Sequence, residues 1–359
     1  MEKLFCKGIH EQILHLIRHW LDPRRARVVV EGQFSDGYSL FNMVFQGTVW
    51  GPPLWNCFFE DARLALNAKG YSEIAYADDL NASRYFPRAT PNSEIEQSQH
   101  EAQAILHEWG DANQVHFDAT KEHFRIMDTQ SPTNLEFRLL GIEFDEKLQM
   151  GSAVHECVNE AGWRMTRILR TRRFFTDRDL IIHYKSHVLS YMEYRTPGIY
   201  HAATTVLQPL DNVQTRFLSD LGVPEIVALF EFNLAPLHSR RDIAILGVIH
   251  RTLLGEGAPH FRQFFYSIGR GMYSLRRRHD RHIFDWMDGH HLDILDRSAL
   301  GLCRIYNLLP QRIVHITNVK DFQTALQDLL KATARAGCEN WQHLYSPRLS
   351  LANHPLLYA

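Results

Sequence analysis

The sequence predicts an α+β fold, a small antiparallel sheet with helices over residues 1–150 followed by helices alone. Three observations lead there. Short apolar runs bounded by turn residues recur through the first 150 positions, broken by stretches of helical spacing. From about His155 the strand pattern fades and apolar residues return every three or four positions. A composition of 45% hydrophobic and 22% charged residues suits a chain that builds a core, and it excludes bulk disorder.

The elements follow in order. Ile13, Leu14, Ile17, Trp20 and Leu21 repeat at helical spacing, and Pro23 stops that helix. Residues 27–31 (RVVVE) read as a strand, Ser35-Asp36-Gly37 as a polar turn, and 40–45 as the returning strand of a hairpin. Gly51-Pro52-Pro53 introduces a helix over 54–66, where proline in the first turn removes no hydrogen bond. Residues 73–84 set two apolar runs either side of Asp78-Asp79, again strand, turn and strand. A polar amphipathic helix is expected over 93–110, with Ile95, Ile105, Leu106 and Trp109 apolar and Gly110 as its stop. Short strands at 115–117, 124–127 and 137–144 complete this half. Beyond a boundary near Gly151, helices are expected around Trp163, Ile168 and Leu169 and over 180–192, 207–221 and 241–254.

The charge balance is nearly neutral, 39 Lys+Arg against 41 Asp+Glu, so a polyanion can be met only by local basic patches. Arg164, Arg167, Arg170, Arg172 and Arg173 form one such patch, expected on one helical side beside Phe174 and Phe175. Arg24, Arg25 and Arg27 form a second, and Arg276, Arg277 and Arg278 a third, both read as solvated faces. Cys6, Cys57, Cys157, Cys303 and Cys338 are scattered without a CxxC spacing, which predicts reduced thiols inside a cell. No signal peptide is recognisable, and no apolar run approaches the roughly 18 residues of a membrane span. His279, Asp280, His282, Asp288, His290 and His291 cluster in sequence but lack HExxH spacing, so surface or core roles are expected.

The sharpest chemical feature is Tyr76-Ala77-Asp78-Asp79. Adjacent carboxylates on a tight turn repel each other, yet they suit Mg²⁺, a hard cation that takes carboxylate oxygens and keeps positions open for phosphate. Two-metal phosphoryl transfer uses such a site to stabilise both the attacking and the leaving oxygen.

Around it lies an ordered series of elements. Gln46-Gly47-Thr48-Val49-Trp50-Gly51-Pro52-Pro53-Leu54-Trp55-Asn56 comes first, then YADD, then Lys121 within FDATKEHFRIM, then Leu139-Leu140-Gly141-Ile142-Glu143-Phe144-Asp145. This series resembles the reverse transcriptases of non-LTR retrotransposons and of group II introns, the former more closely. KGIHEQILHLIRHWLDPRRARVVVEG is similar to the helix and strand before their Gln-Gly element. HVLSYMEYRTPGIYHA, LDNVQTRFL and LAPLHSRRDIAILG are similar to their helical thumb and connection, so the resemblance extends through about Phe265.

The resemblance implies a partial right-hand polymerase palm over 1–150, a helical thumb and connection over 151–265, and a helical extension over 266–359. It implies RNA-directed DNA polymerisation with Mg²⁺ (or Mn²⁺), an RNA template, a DNA primer and deoxynucleoside triphosphates. Asp78 would be a metal ligand, with Asp79 supporting the turn and the metal environment. Gln46, Gly47 and Tyr76 would lie against nucleotide and template, Lys121 would meet the leaving pyrophosphate, and Leu140 and Gly141 would grip the primer. Arg167, Arg170, Arg172 and Arg173 would follow the nucleic-acid backbone.

The departures also carry expectations. Phe45, Trp50 and Asp118 stand where proline, leucine and asparagine are usual in the family. The family's other essential aspartate precedes the first helix, together with the fingers, whereas Asp22 follows that helix. A two-metal site needs carboxylates from both strands. The chain alone is therefore expected to polymerise weakly or not at all, to expose palm surface open to self-association, and to lie outside any membrane. The alternative is a catalytically dead retroelement remnant, or a nucleic-acid-binding module.

Overall fold

The computed structural model describes residues 1–22, 24–40, 47–127, 136–268, 279–287 and 293–357. The chain falls into two units, Met1–Ile126 and Met127–Ala359.

In the first unit, α1 (Glu2–Cys6) precedes α2 (Glu11–Leu21), which buries Leu14 and Ile17. An interrupted hairpin follows. Strand β1 (Arg24–Ala26) pairs with β4 (Tyr38–Leu40), and β2 (Val29–Val30) pairs with β3 (Gln33–Phe34). Its tip is Glu31-Gly32, both at positive φ, the geometry that a two-residue turn requires. The turn expected at Ser35-Asp36-Gly37 is instead part of the returning arm, because Ser35 Oγ accepts from Val28 N and Ser35 N donates to Val28 O, both at 2.9 Å. The strand expected over 40–45 lies outside the described residues after Leu40.

Helix α3 (Gly51–Ala68) carries Pro52 and Pro53 in its first turn and buries Leu54, Phe59, Ala62 and Leu66 along one side. Antiparallel strands β5 (Ser72–Tyr76) and β6 (Asp79–Ser83) form the hairpin expected at this point. Helix α4 (Asn92–Asn113) runs past Gly110 and ends where Gln114 turns left-handed at φ 58°. Gly110 is therefore a packing residue: a Cβ there would stand 2.5 Å from Val115 O. The strands expected at 115–117 and 124–127 do not form. That segment returns along α4, where Gln99 Nε2 donates to Arg125 O at 3.1 Å and His107 Nε2 meets Glu122 Oε1 at 2.7 Å. Helix side chains occupy it where a neighbouring strand would be needed.

The second unit opens with β7 (Phe137–Leu139) and β8 (Ile142–Phe144), then α5 (Gly151–Arg170). The boundary expected near Gly151 falls inside this unit, because Ile142 and Phe144 pack into the same core as Val154, Cys157 and Ala161 of α5. Helix α6 (Asp177–Tyr184) starts on a Thr176–Asp179 capping box and continues through a π turn (Lys185–Leu189) into α7 (Ser190–Tyr194). Helices α8 (Thr196–Ile199) and α9 (Thr204–Leu221) complete that core, in which Tyr184 stacks on Phe217.

Helices α10 (Glu225–Phe232) and α11 (Leu237–Leu253) lead, past the short α12 (Asp293–Asp296), which buries no residue, to a second core shared with α13 (Leu302–Asn307), α14 (Gln311–Val314) and α15 (Val319–Arg335). Residues beyond 266 thus complete a core begun by α11. The buried His250 bridges α11 to Tyr306 Oη at 2.9 Å and to Ile316 O at 2.7 Å.

Among the described residues every ladder is two-stranded, where one small sheet was expected over 1–150. The fold is α+β at this level. No helix among the described residues is long and apolar enough to cross a membrane.

Candidate functional site

The β5–β6 hairpin places Asp78 and Asp79 at its tip. Tyr76 and Asp79 form the last paired positions, leaving Ala77 and Asp78 as a two-residue turn. Ala77 takes φ 55°, a conformation that glycine or asparagine adopts more easily. The turn is held from α3, where Trp55 Nε1 donates to Ala77 O at 2.7 Å. Trp55 in turn stacks on Phe59, and Phe59 meets Trp109 of α4 edge-on. The acidic turn therefore stands on an aromatic column, with both carboxylates exposed to solvent.

The inner face of the hairpin reverses the expected polarity. Glu73, only 4% exposed, faces α3 and takes a two-point ion pair from Arg63. Ile74 and Tyr76 face outward at 61% and 67% exposure. Sequence alternation gives no warning of this, because the buried polar group depends on a partner ten residues away.

Of the other expected site residues, Gln46 lies outside the described residues. Gly47 is exposed at φ 80°, with open space where a Cβ would stand, so its requirement is conformational. Among the described residues, the structure links the Gly51-Pro52-Pro53-Leu54-Trp55 stretch to the acidic turn, through Trp55. Lys121 ends a short 3₁₀ turn and pairs with Asp118 at 3.8 Å, a contact within its own turn. Hydrogen bonds from the Thr120 hydroxyl and backbone hold the Asp118 carboxyl below its usual range.

In the second unit, Leu140 and Gly141 are the turn between β7 and β8, at φ 48° and 78°. Tyr194 Oη donates to Leu140 O at 2.8 Å and fixes that turn against α7.

The arginines expected on one side of a helix separate. Arg164 is committed to Glu160 at 2.7 Å, to His187 O at 3.2 Å and to the Tyr191 ring. Helix α5 ends at Arg170, so Arg172 and Arg173 lie on the following 3₁₀ turn, and Arg172 caps α9 by donating to Asp220 O at 2.7 Å. Arg167 and Arg170 remain on the exposed face. Of the other clusters, Arg24 stacks over Trp20, and Arg276, Arg277 and Arg278 lie outside the described residues.

His279 is buried and meets Tyr306 O at 3.0 Å, and Asp280 pairs with His315 at 2.6 Å. These are packing roles. Asp288, His290 and His291 lie outside the described residues. The described residues contain no group of three or more Asp, Glu, His or Cys side chains placed to hold a metal. The donor chemistry at the hairpin tip nonetheless suits Mg²⁺, which is commonly held by one or two carboxylates, with water and substrate phosphate completing its shell.

No protein-family model matches the chain, and neither does any curated protein or solved structure.

Proposed function

We propose that the chain is the palm and thumb portion of a reverse transcriptase of the non-LTR retrotransposon class, acting in RNA-directed DNA polymerisation. The observation that supports this reading best is the acidic hairpin tip, Asp78 in the two-residue turn beside Asp79 at the first paired position, held by Trp55 of the preceding Gly-Pro-Pro element. A turn carbonyl tied to a tryptophan holds the backbone that carries both carboxylates. When bound there, Mg²⁺ or Mn²⁺ would supply charge stabilisation for phosphoryl transfer. Asp78 and Asp79 would hold it, Tyr76 and Gly47 would border the nucleotide, and Lys121 would meet the pyrophosphate.

Two carboxylates on one turn make half of a two-metal site, so synthesis by this chain alone is expected to be weak. The test is primer extension on an RNA template with Mg²⁺ or Mn²⁺. Expected is low but measurable incorporation that Asp78→Ala abolishes. Incorporation unaffected by Asp78→Ala would refute the assignment. The same half-site motivates a second reading, a nucleic-acid-binding module without catalysis. It takes precedence if template binding persists with no incorporation above the blank.

A further inference from the structure

We infer that the exposed face at the C-terminal end of α5 binds unpaired nucleic acid, with bases stacking on Trp163 and Phe174 and with Arg167, Arg170 and Arg173 meeting phosphates. The inference rests on the nucleic-acid part of the reading above and not on catalysis.

Exposed residues of α5 include a stripe of His155, Asn159, Trp163, Arg167 and Arg170, spaced four, four, four and three apart, with the exposed Thr166 beside it. No carboxylate lies on it. The acids on the neighbouring flank are already used, Glu156 by Arg138 at 2.6 Å and Glu160 by Arg164 at 2.7 Å. Among the described residues, neither Arg167 nor Arg170 pairs with an acid. Cations in a last turn are favoured by the helix dipole, which accounts for Arg167 and Arg170 without any ligand. It does not account for a tryptophan left 51% exposed on the same stripe, or for Phe174 left 69% exposed on the turn that follows.

Both rings carry a guanidinium. Arg167 Cζ stands 3.2 Å from the Trp163 ring centroid, and Arg173 Cζ 4.6 Å from that of Phe174. Two cation–aromatic platforms therefore flank Arg170, which lies about 10 Å along the helix from Trp163. Flat rings and guanidinium planes stack on bases, and the same arginines neutralise phosphate. In a duplex each base is already stacked on its neighbours, so such platforms gain nothing from it beyond charge. The arrangement selects for an unpaired strand.

The test measures binding of the full chain to a labelled single strand of about 12 nucleotides, as RNA and as DNA, and to the blunt duplex of the same sequence. Single strands are expected to bind at least tenfold more tightly than duplex. Trp163→Leu or Phe174→Leu is expected to weaken single-strand binding about tenfold and to leave duplex binding within about twofold. Arg170→Gln should reduce the slope of log affinity against log salt by about one. Equal affinity for duplex and single strand, or equal losses on both in the aromatic variants, would overturn the inference. Thermal unfolding checks each variant, and Phe174→Leu, at the more exposed position, decides the matter if Trp163→Leu alters stability. Primer extension by the wild-type chain without single-strand preference sinks this inference alone. Single-strand preference without primer extension sinks only the polymerase reading.

Discussion

Arg63 and Glu73 join α3 to the inner face of the β5–β6 hairpin, with Nε to Oε2 at 2.8 Å and Nη2 to Oε1 at 2.9 Å. Asn67 adds a third bond to the same carboxylate at 3.3 Å. The pair keeps a buried charge beneath a turn that carries two more carboxylates. Arg63→Met leaves Glu73 buried and under-compensated, with an expected loss of about 1–3 kcal/mol. Urea unfolding followed by tryptophan fluorescence measures it. A loss under about 0.5 kcal/mol would rank the contact with ordinary surface pairs.

Leu140 holds φ 48° ahead of Gly141 at 78°, a turn that favours Asn-Gly. Leu140→Asn should stabilise the chain by about 0.5–1 kcal/mol, since Tyr194 bonds only the backbone carbonyl there. The readout is a raised thermal midpoint, and an unchanged or lowered one refutes the strain argument.

Tyr200 Oη donates to Asp242 Oδ1 at 2.6 Å in a fully buried setting. Burial pushes the Asp242 carboxyl up to about 7, against the pull of the Tyr200 hydrogen bond and of Arg348 and Arg241. Between its ordinary value of 3.8 and about 7, the folded chain keeps a proton that the unfolded chain has released. The stability from this group is therefore complete below 3.8 and is lost as pH rises through about 7. Asp242→Asn should flatten that part of the curve of unfolding free energy against pH. Parallel curves for the two proteins would contradict the assignment.

Tyr184 stacks on Phe217 with ring centroids 4.2 Å apart, and its hydroxyl is buried without a hydrogen-bond partner among the described residues. Removing a buried unsatisfied group of this kind is expected to be neutral or to gain about 1 kcal/mol, so Tyr184→Phe should not destabilise. Phe217→Ala, which opens a cavity beside it, should lose about 3–5 kcal/mol. Denaturant midpoints compare the two, and a destabilised Tyr184→Phe would reveal a hydrogen bond that the geometry does not show.

The α+β character, the 72–83 hairpin and the long helices were legible in the sequence because their signals are local. A turn beside Asp78-Asp79 and prolines at the start of α3 act over a few residues. The basic character of the α5 region was equally plain. Its division into committed and free arginines was not, because Arg164 is claimed by Tyr191 and Arg172 by Asp220, both distant in sequence.

By itself, then, the sequence determined the helices at 11–21, 51–68 and 204–221, the hairpin at 72–83, and that two adjacent carboxylates stand at its tip. Tertiary structure decided which face of the hairpin is buried, since Glu73 turns inward only because Arg63 is there to meet it. It also laid residues 115–126 along α4 as an irregular return, through His107 and Gln99, where the apolar pattern alone favours strands. Local propensity fixes backbone conformation over a few residues, whereas burial and charge pairing depend on partners that only the folded chain brings together.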